Sequence, residues 1–160
     1  MKKTIALLII LMLIVPAACA ELDYYHNTEL VKAIYDTVAI MSGLPTISKA
    51  IEVEPGCYYF TETSVFLFLN YEGIDAVGDP SHFMGCMTTE NTKMDDFLLT
   101  CACAIKTMNR YEDDTILYGQ LLNIYIRCRK KYPSPSITQG TIYLMMQCND
   151  GIYTFVVRAE

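Results

Sequence analysis

Basic charge is scarce in this chain. Twelve Lys and Arg stand against 18 Asp and Glu, a formal charge of −6, and the cations form no stripe. Such a chain lacks the electrostatic footprint of a nucleic-acid or anionic-membrane binder. Histidine is scarcer still: His26 and His82 are the only two, and neither neighbours a second cysteine pair. Cys101-x-Cys103 also lacks the two-residue gap of a zinc knuckle, so no metal is expected. There is no G-x-S-x-G, H-E-x-x-H, P-loop or paired-carboxylate arrangement. His82 and Cys86 lie four apart with nothing nearby to form an oxyanion hole, so they make a poor nucleophile pair. These absences point away from an enzyme and away from a cofactor. Internal repeats and low-complexity segments are missing too. Beyond residue 20, no apolar run approaches the roughly 20 residues that a membrane-spanning helix needs.

The first twenty residues have a different character. Lys2-Lys3 precedes an unbroken apolar run from Ile5 to Val15, then Pro16 and Ala18-Cys19-Ala20. A basic start, a short apolar run and an A-x-A site are the parts of a secretory signal peptide. Cleavage after Ala20 is the expectation, giving a secreted or periplasmic chain of residues 21–160 with no membrane span. A lipid anchor at Cys19 is the rival reading, but the position three before it holds Pro16 rather than the usual Leu. Removing Lys2 and Lys3 leaves 10 cations against 18 acids, a balance of −8. About 140 residues suit one domain with one core.

Six of the seven cysteines lie beyond the leader: Cys57, Cys86, Cys101, Cys103, Cys128 and Cys148. An even number in an exported chain reads as a disulfide framework. Cys101 and Cys103 fall two apart in a helical pattern and cannot pair with each other. Cys128 and Cys148 flank the Pro-Ser linker on what read as neighbouring antiparallel strands, which makes them the best pair. A bridge closing about 20 residues adds roughly 3 kcal/mol.

Cys57 to Gly85 organises the remainder. Val65 to Leu69 is a continuous β-branched and aromatic run, too short for a core helix. Asn70 to Gly73 has turn chemistry, Ile74 to Val77 reads as a short strand, and Asp79 to Thr92 as a loop. Before them, Leu30, Val31, Ile34, Tyr35, Val38 and Met41 recur at helical spacing over Asn27 to Ser42, stopped by Gly43 and Pro45. Thr46 to Val53 could add a short helix. After them, a second helix runs from Lys93 to about Met108, with Asp95 and Asp96 in its first turn. Glu112-Asp113-Asp114 reads as a solvated turn. Thr115 to Arg129, Thr138 to Cys148 and Ile152 to Arg158 read as strands, the last two joined by the hairpin turn Asn149-Asp150-Gly151. The expected architecture is α+β: a five-stranded antiparallel sheet, the long N-terminal helix on one face, and a helix plus loop on the other.

In that order of elements the chain resembles the single Cache domains, PAS-like extracytoplasmic sensors. The likeness spans residues 27 to 158. It rests on the Asn27–Ser42 helix, on VFLFLNYEG and IDAVGDPSHFMG, on TTENTKMDDFLLTCACAI, and on the closing TIYLMMQCNDGIYTFVVRA with Tyr143. Where the family often carries a Lys just before that Tyr, this chain has Gln139, Gly140 and Thr141. The resemblance implies a ligand held between the sheet and the segment joining strands two and three. On this sequence that segment and its surroundings contribute Asp79, His82, Met84, Tyr118, Tyr125, Arg127 and Tyr143. Arg127 would grip a carboxylate, and the tyrosines would pack a ring while fixing a polar atom. The function it implies is recognition of a small organic ligand, a carboxylate or amino acid, relayed through a membrane receptor or signalling protein. The alternative is a disulfide-stabilised secreted interaction protein with a filled core and no small ligand.

Overall fold

A computed structural model of the chain describes residues 28–74, 80–109 and 112–159, with 70–74 and 80–82 described by backbone alone. The leader and Asp79 lie outside these residues. Helix α1, Thr28–Met41, forms as its periodicity predicts and buries Val31, Tyr35 and Ala39. Gly43 closes it at φ 71. The Leu44 and Gly43 amides donate to the carbonyls of Ala39 and Ile40 at 2.9 and 3.2 Å, the Schellman pattern that a left-handed glycine permits. A single 3₁₀ turn, Ile47–Lys49, is tied back to α1, because the Ile47 amide donates to Asp36 Oδ1 at 2.7 Å.

Among the described residues seven strands follow, where five were expected. They are β1 Ile51–Glu54, β2 Cys57–Phe60, β3 Val65–Ile74, β4 Pro80–Thr88, β5 Ser136–Gln139, β6 Ile142–Asn149 and β7 Ile152–Ala159. Between β4 and β5 run helices α2, Met94–Met108, and α3, Asp114–Arg129. The sheet is antiparallel throughout, in the order β1-β2-β3-β4-β7-β6-β5. The chain meanders from one edge to the middle, crosses over through α2 and α3, and enters again at the far edge. It then meanders back until β7 lies against β4. Asp150 and Gly151 take φ of 52 and 85 between β6 and β7, as a two-residue hairpin turn requires.

Expectations of three kinds are corrected. Thr115 to Arg129 is helix α3, not a strand. Asp113 caps it by accepting the Thr115 amide at 2.7 Å, and Leu117, Leu121, Ile124 and Cys128 give it a buried stripe. The Glu112–Asp114 turn therefore has structural work: Asp114 also pairs with Lys106 and accepts from Asn109 Nδ2 at 2.6 Å. Second, Asn70 to Gly73 lies within β3, where the register shifts between Phe68 and Tyr71; turn residues are accommodated there by an irregular ladder rather than a reversal. The expected loop at 79–92 is largely β4, with Pro80 at its first position, where a missing amide is tolerated. Likewise Ile51–Glu54 is a strand, where a short helix was expected to run through Val53.

The third correction concerns layers. On one side of the sheet, Tyr58, Leu67, Cys86, Phe155 and Met146 lie in register across five strands, and all are buried. Val31, Tyr35, Phe97, Ala104, Leu117 and Ile124 of the helices join them in one core. Helix α1 packs on α2 and α2 on α3, and each also packs on the sheet. They form a single layer. Among the described residues, no helix covers the other face.

Candidate functional site

The seven residues implied by the Cache resemblance do not gather. Asp79 lies outside the described residues, and His82 is placed only by its backbone, opposite Glu72. Met84 is wholly buried in the helix-side core. Tyr118 and Tyr125 lie on α3, partly buried against that core. Arg127, in the last turn of α3, sets its guanidinium 5.8 Å from the centre of the Tyr132 ring, a cation–π contact. Tyr143 is on the opposite face of the sheet, 5.1 Å from the guanidinium of Arg158. A ligand touching Met84 could not touch Tyr143, since the sheet stands between them.

The space the resemblance reserves for a ligand is filled with protein. Tyr35, Phe60, Phe97, Phe155, Leu67 and Ile105 are all wholly buried between helices and sheet. Tyr35 stacks on Phe60 at 6.2 Å, and burial pushes its hydroxyl well above the usual tyrosine range. That hydroxyl is a structural group.

Surface grooves are found among the described residues. One, of about 590 Å³, opens where the end of α3 meets the β6–β7 hairpin; Cys128, Arg129, Lys131, Tyr132, Cys148 and Tyr153 are among its lining. Arg129 lies over the Tyr125 ring at 5.8 Å, and Tyr125 packs on Tyr153 at 5.9 Å. Another, of about 400 Å³, is an apolar trough between α2 and α3 along Leu98, Leu99, Tyr118 and Leu122.

A further unclaimed surface is the bare face of the sheet. Residues that alternate with the core set point there, and register aligns them in two rows. Tyr59, Phe66, Met87, Thr154 and Gln147 form one row; Cys57, Phe68, Gly85, Val156 and Met145 form the other. Tyr59 and Phe66 touch ring to ring at 4.7 Å, and Phe66 stacks on Phe68 at 6.5 Å. Gly85 makes room for this. A Cβ there would meet the Phe155 carbonyl at 3.3 Å and the Phe68 ring at 3.5 Å, so its absence lets Phe68 lie over the sheet. Phe66, Phe68, Met87, Met145 and Val156 are partly exposed.

Charge is nearly absent from this face. Among the described side chains of the five central strands, Arg158 is the one charged residue on it. At the β1 edge, Glu52 turns to the helix side and accepts the Gly56 amide at 3.2 Å and the Tyr58 hydroxyl at 3.0 Å. Those two bonds hold its carboxyl below the usual range. Glu54, opposite Cys57, is the acid at that edge of the face. Aromatic residues and Met with an Arg, and few acids, is the composition of a protein contact surface rather than of ordinary solvated surface.

The hydrophobic pattern of the closing strands signalled this face only ambiguously. Apolar residues at every position fit a doubly covered strand and a strand with one sticky exposed side equally well. No protein-family model, curated protein or solved structure matches the chain. Among the described residues, no helix is long and apolar enough to cross a membrane.

Proposed function

We propose that the chain is an exported interaction protein with a filled interior, in which two copies dock through the bare faces of their sheets. The observation that carries this reading is the run of partly exposed aromatic and Met side chains across five neighbouring strands, with no acid among their described side chains on that face. Contiguous apolar surface of this kind marks a contact site. A second copy fits it for two reasons. Tyr59, Phe66 and Phe68 crowd β2 and β3, while Met87, Val156 and Met145 lie on β4, β7 and β6, with Phe83 and Tyr143 towards the other end of those strands. A two-fold axis near β4 lays the rings of each copy on the Met and Val side chains of the other, a self-complementary contact. And a molecule of net charge −6, or −8 without the leader, meets least self-repulsion through a surface that carries little of that charge. Two such sheets stack about 10 Å apart, at an angle of about 30°.

Sedimentation equilibrium from the micromolar to the near-millimolar range tests it. The wild type should reach a dimer, and Phe66→Asp should remain a monomer with an unchanged circular dichroism spectrum. A wild type that stays monomeric throughout refutes the reading.

A second reading keeps the small-ligand role and moves it from the sheet interior to the groove at the end of α3. Arg129 and Lys131 among its lining residues favour it, because paired cations suit a carboxylate. A binder present at a hundredfold excess over Kd stabilises by about 2.7 kcal/mol, a Tm rise of roughly 5–11 °C for a domain of this size. No rise with any small carboxylate or amino acid would sink it, as would a rise that survives in the Arg129→Gln, Lys131→Gln double variant.

A further inference from the structure

All six described cysteines are thiols in this structure, and four of them meet in twos across the boundary between the helices and the sheet. Cys101 on α2 and Cys86 on β4 are both wholly buried, α2 packs on β4, and the Cys86 side chain lies close enough to Cys101 to raise its thiol pKa further. Cys103 points roughly 200° further round the helix, beside Ser42 and still within electrostatic reach of Cys86. Near the other edge, Cys128 in the last turn of α3 and Cys148 on β6 line the same groove. Helix α3 packs on β6; Cys128 is buried and Cys148 partly exposed.

We propose that Cys86–Cys101 and Cys128–Cys148 are the two disulfides of the oxidised protein, each fastening a helix to the strand beneath it. Cys57, on the bare face of the sheet, and Cys103 stay as thiols. The pairing of Cys128 with Cys148 is proposed here on other ground than their sequence position: they meet as helix end and strand, not as neighbouring strands.

The oxidant is a disulfide in the surroundings, such as glutathione disulfide. The Cys148 thiolate attacks one of its sulfurs and expels a glutathione thiolate. The Cys128 thiolate then attacks Cys148 Sγ in the mixed disulfide and expels the second. Two electrons pass from the cysteine pair to the glutathione, and the two cysteine protons end on the released thiols. Cys86 and Cys101 react by the same steps, before α2 settles on the sheet and excludes the oxidant.

The inference leans on the exported reading only for the supply of oxidant in the cell. Its test is independent of dimerisation, and a monomeric protein would leave it standing. The full chain, unfolded and reduced, is refolded in a reduced and oxidised glutathione buffer, blocked with iodoacetamide and mapped by mass spectrometry after proteolysis. The expected map holds two cross-linked peptide pairs, Cys86 with Cys101 and Cys128 with Cys148, each lighter by two hydrogens than its separate peptides. Cys57 and Cys103 carry the alkyl label. Cys101→Ser should remove the first pair and keep the second, and Cys148→Ser the reverse. A map dominated by any other pairing, or six labelled cysteines after full oxidation, overturns it.

Discussion

Leu67 and Phe66 are consecutive residues on β3, yet the fold gives their substitutions opposite consequences. Leu67 is 0% exposed and points into the core between Tyr58 and Cys86. Leu67→Ala removes buried carbon and leaves a cavity under the helices, at a cost of about 3 kcal/mol within the usual 2–5. For a domain of this size that lowers Tm by roughly 6–12 °C. With m of about 2 kcal/mol/M, the urea midpoint falls by about 1.5 M. Phe66 faces the bare side and touches Tyr59 at 4.7 Å. Phe66→Ser forfeits that cross-strand pair and little else, about 1 kcal/mol. Its midpoint should fall by about 0.5 M. Both are measured by urea titration followed by circular dichroism, at a dilution where the wild type sediments as a monomer, so that subunit contact adds nothing to either value. Equal losses for the two variants would refute the one-sided sheet, because Phe66 would then be covered within its own chain.

Three further outcomes follow from local structure. Asp113→Ala removes the cap of α3 and should lower stability by about 1 kcal/mol by thermal melting, with Asp113→Asn recovering most of it. Gly56→Ala places a Cβ 2.9 Å from the Leu69 carbonyl at φ +76, and should cost about 2 kcal/mol or more in a urea titration. Burial raises the thiols of Cys101 and Cys128 above the ordinary 9.0, with Cys86 beside the first and Cys148 beside the second adding to the rise. Their folded pKa values exceed the unfolded one. The stability linked to them is therefore whole below the unfolded pKa and drains as pH rises from about 9 through the folded values. Reduced protein should lose more urea resistance between about pH 8 and pH 10 than oxidised protein, in which bridged Cys101 and Cys128 have no proton to release. Equal losses in the two forms would contradict the bridges; Tyr35, also raised by burial, contributes to both forms alike.

The elements readable from sequence were those with one clean period and a stop. Helix α1 has a single apolar stripe ended by Gly43 and Pro45, and the β6–β7 hairpin has Asn149-Asp150-Gly151; both are where their residues put them. Helix α3 was hidden because it is apolar on its outer side as well. Ile116, Leu122 and Ile126 are about half exposed, so the buried stripe of Leu117, Leu121, Ile124 and Cys128 does not stand out from its background, and β-branched residues tilt the balance to a strand. Asp113 was the better clue: an Asp just before such a run is a helix start. Strand β4 was hidden by Pro80 and Gly85, which look like loop residues until Pro80 is first in the strand and Gly85 lies beneath Phe68. The expected ligand residues rested on α3 being a strand; once it is a helix above the sheet, Tyr118, Tyr125 and Arg127 are carried away from Tyr143. The bare face could not be read at all, because whether an apolar side chain is covered depends on the number of layers and not on the strand carrying it.

The seam between β4 and β7 has a kinetic consequence. Every other ladder in the sheet joins strands adjacent in the chain, whereas here Met87 lies opposite Thr154 and Phe83 opposite Arg158. Each meander can zip locally, strand onto next strand, before the two meet. The search that brings them together spans both intervening helices, so this one distant closure sets the pace of folding. Until it happens, β4 and β7 each offer an open edge to any other nascent chain.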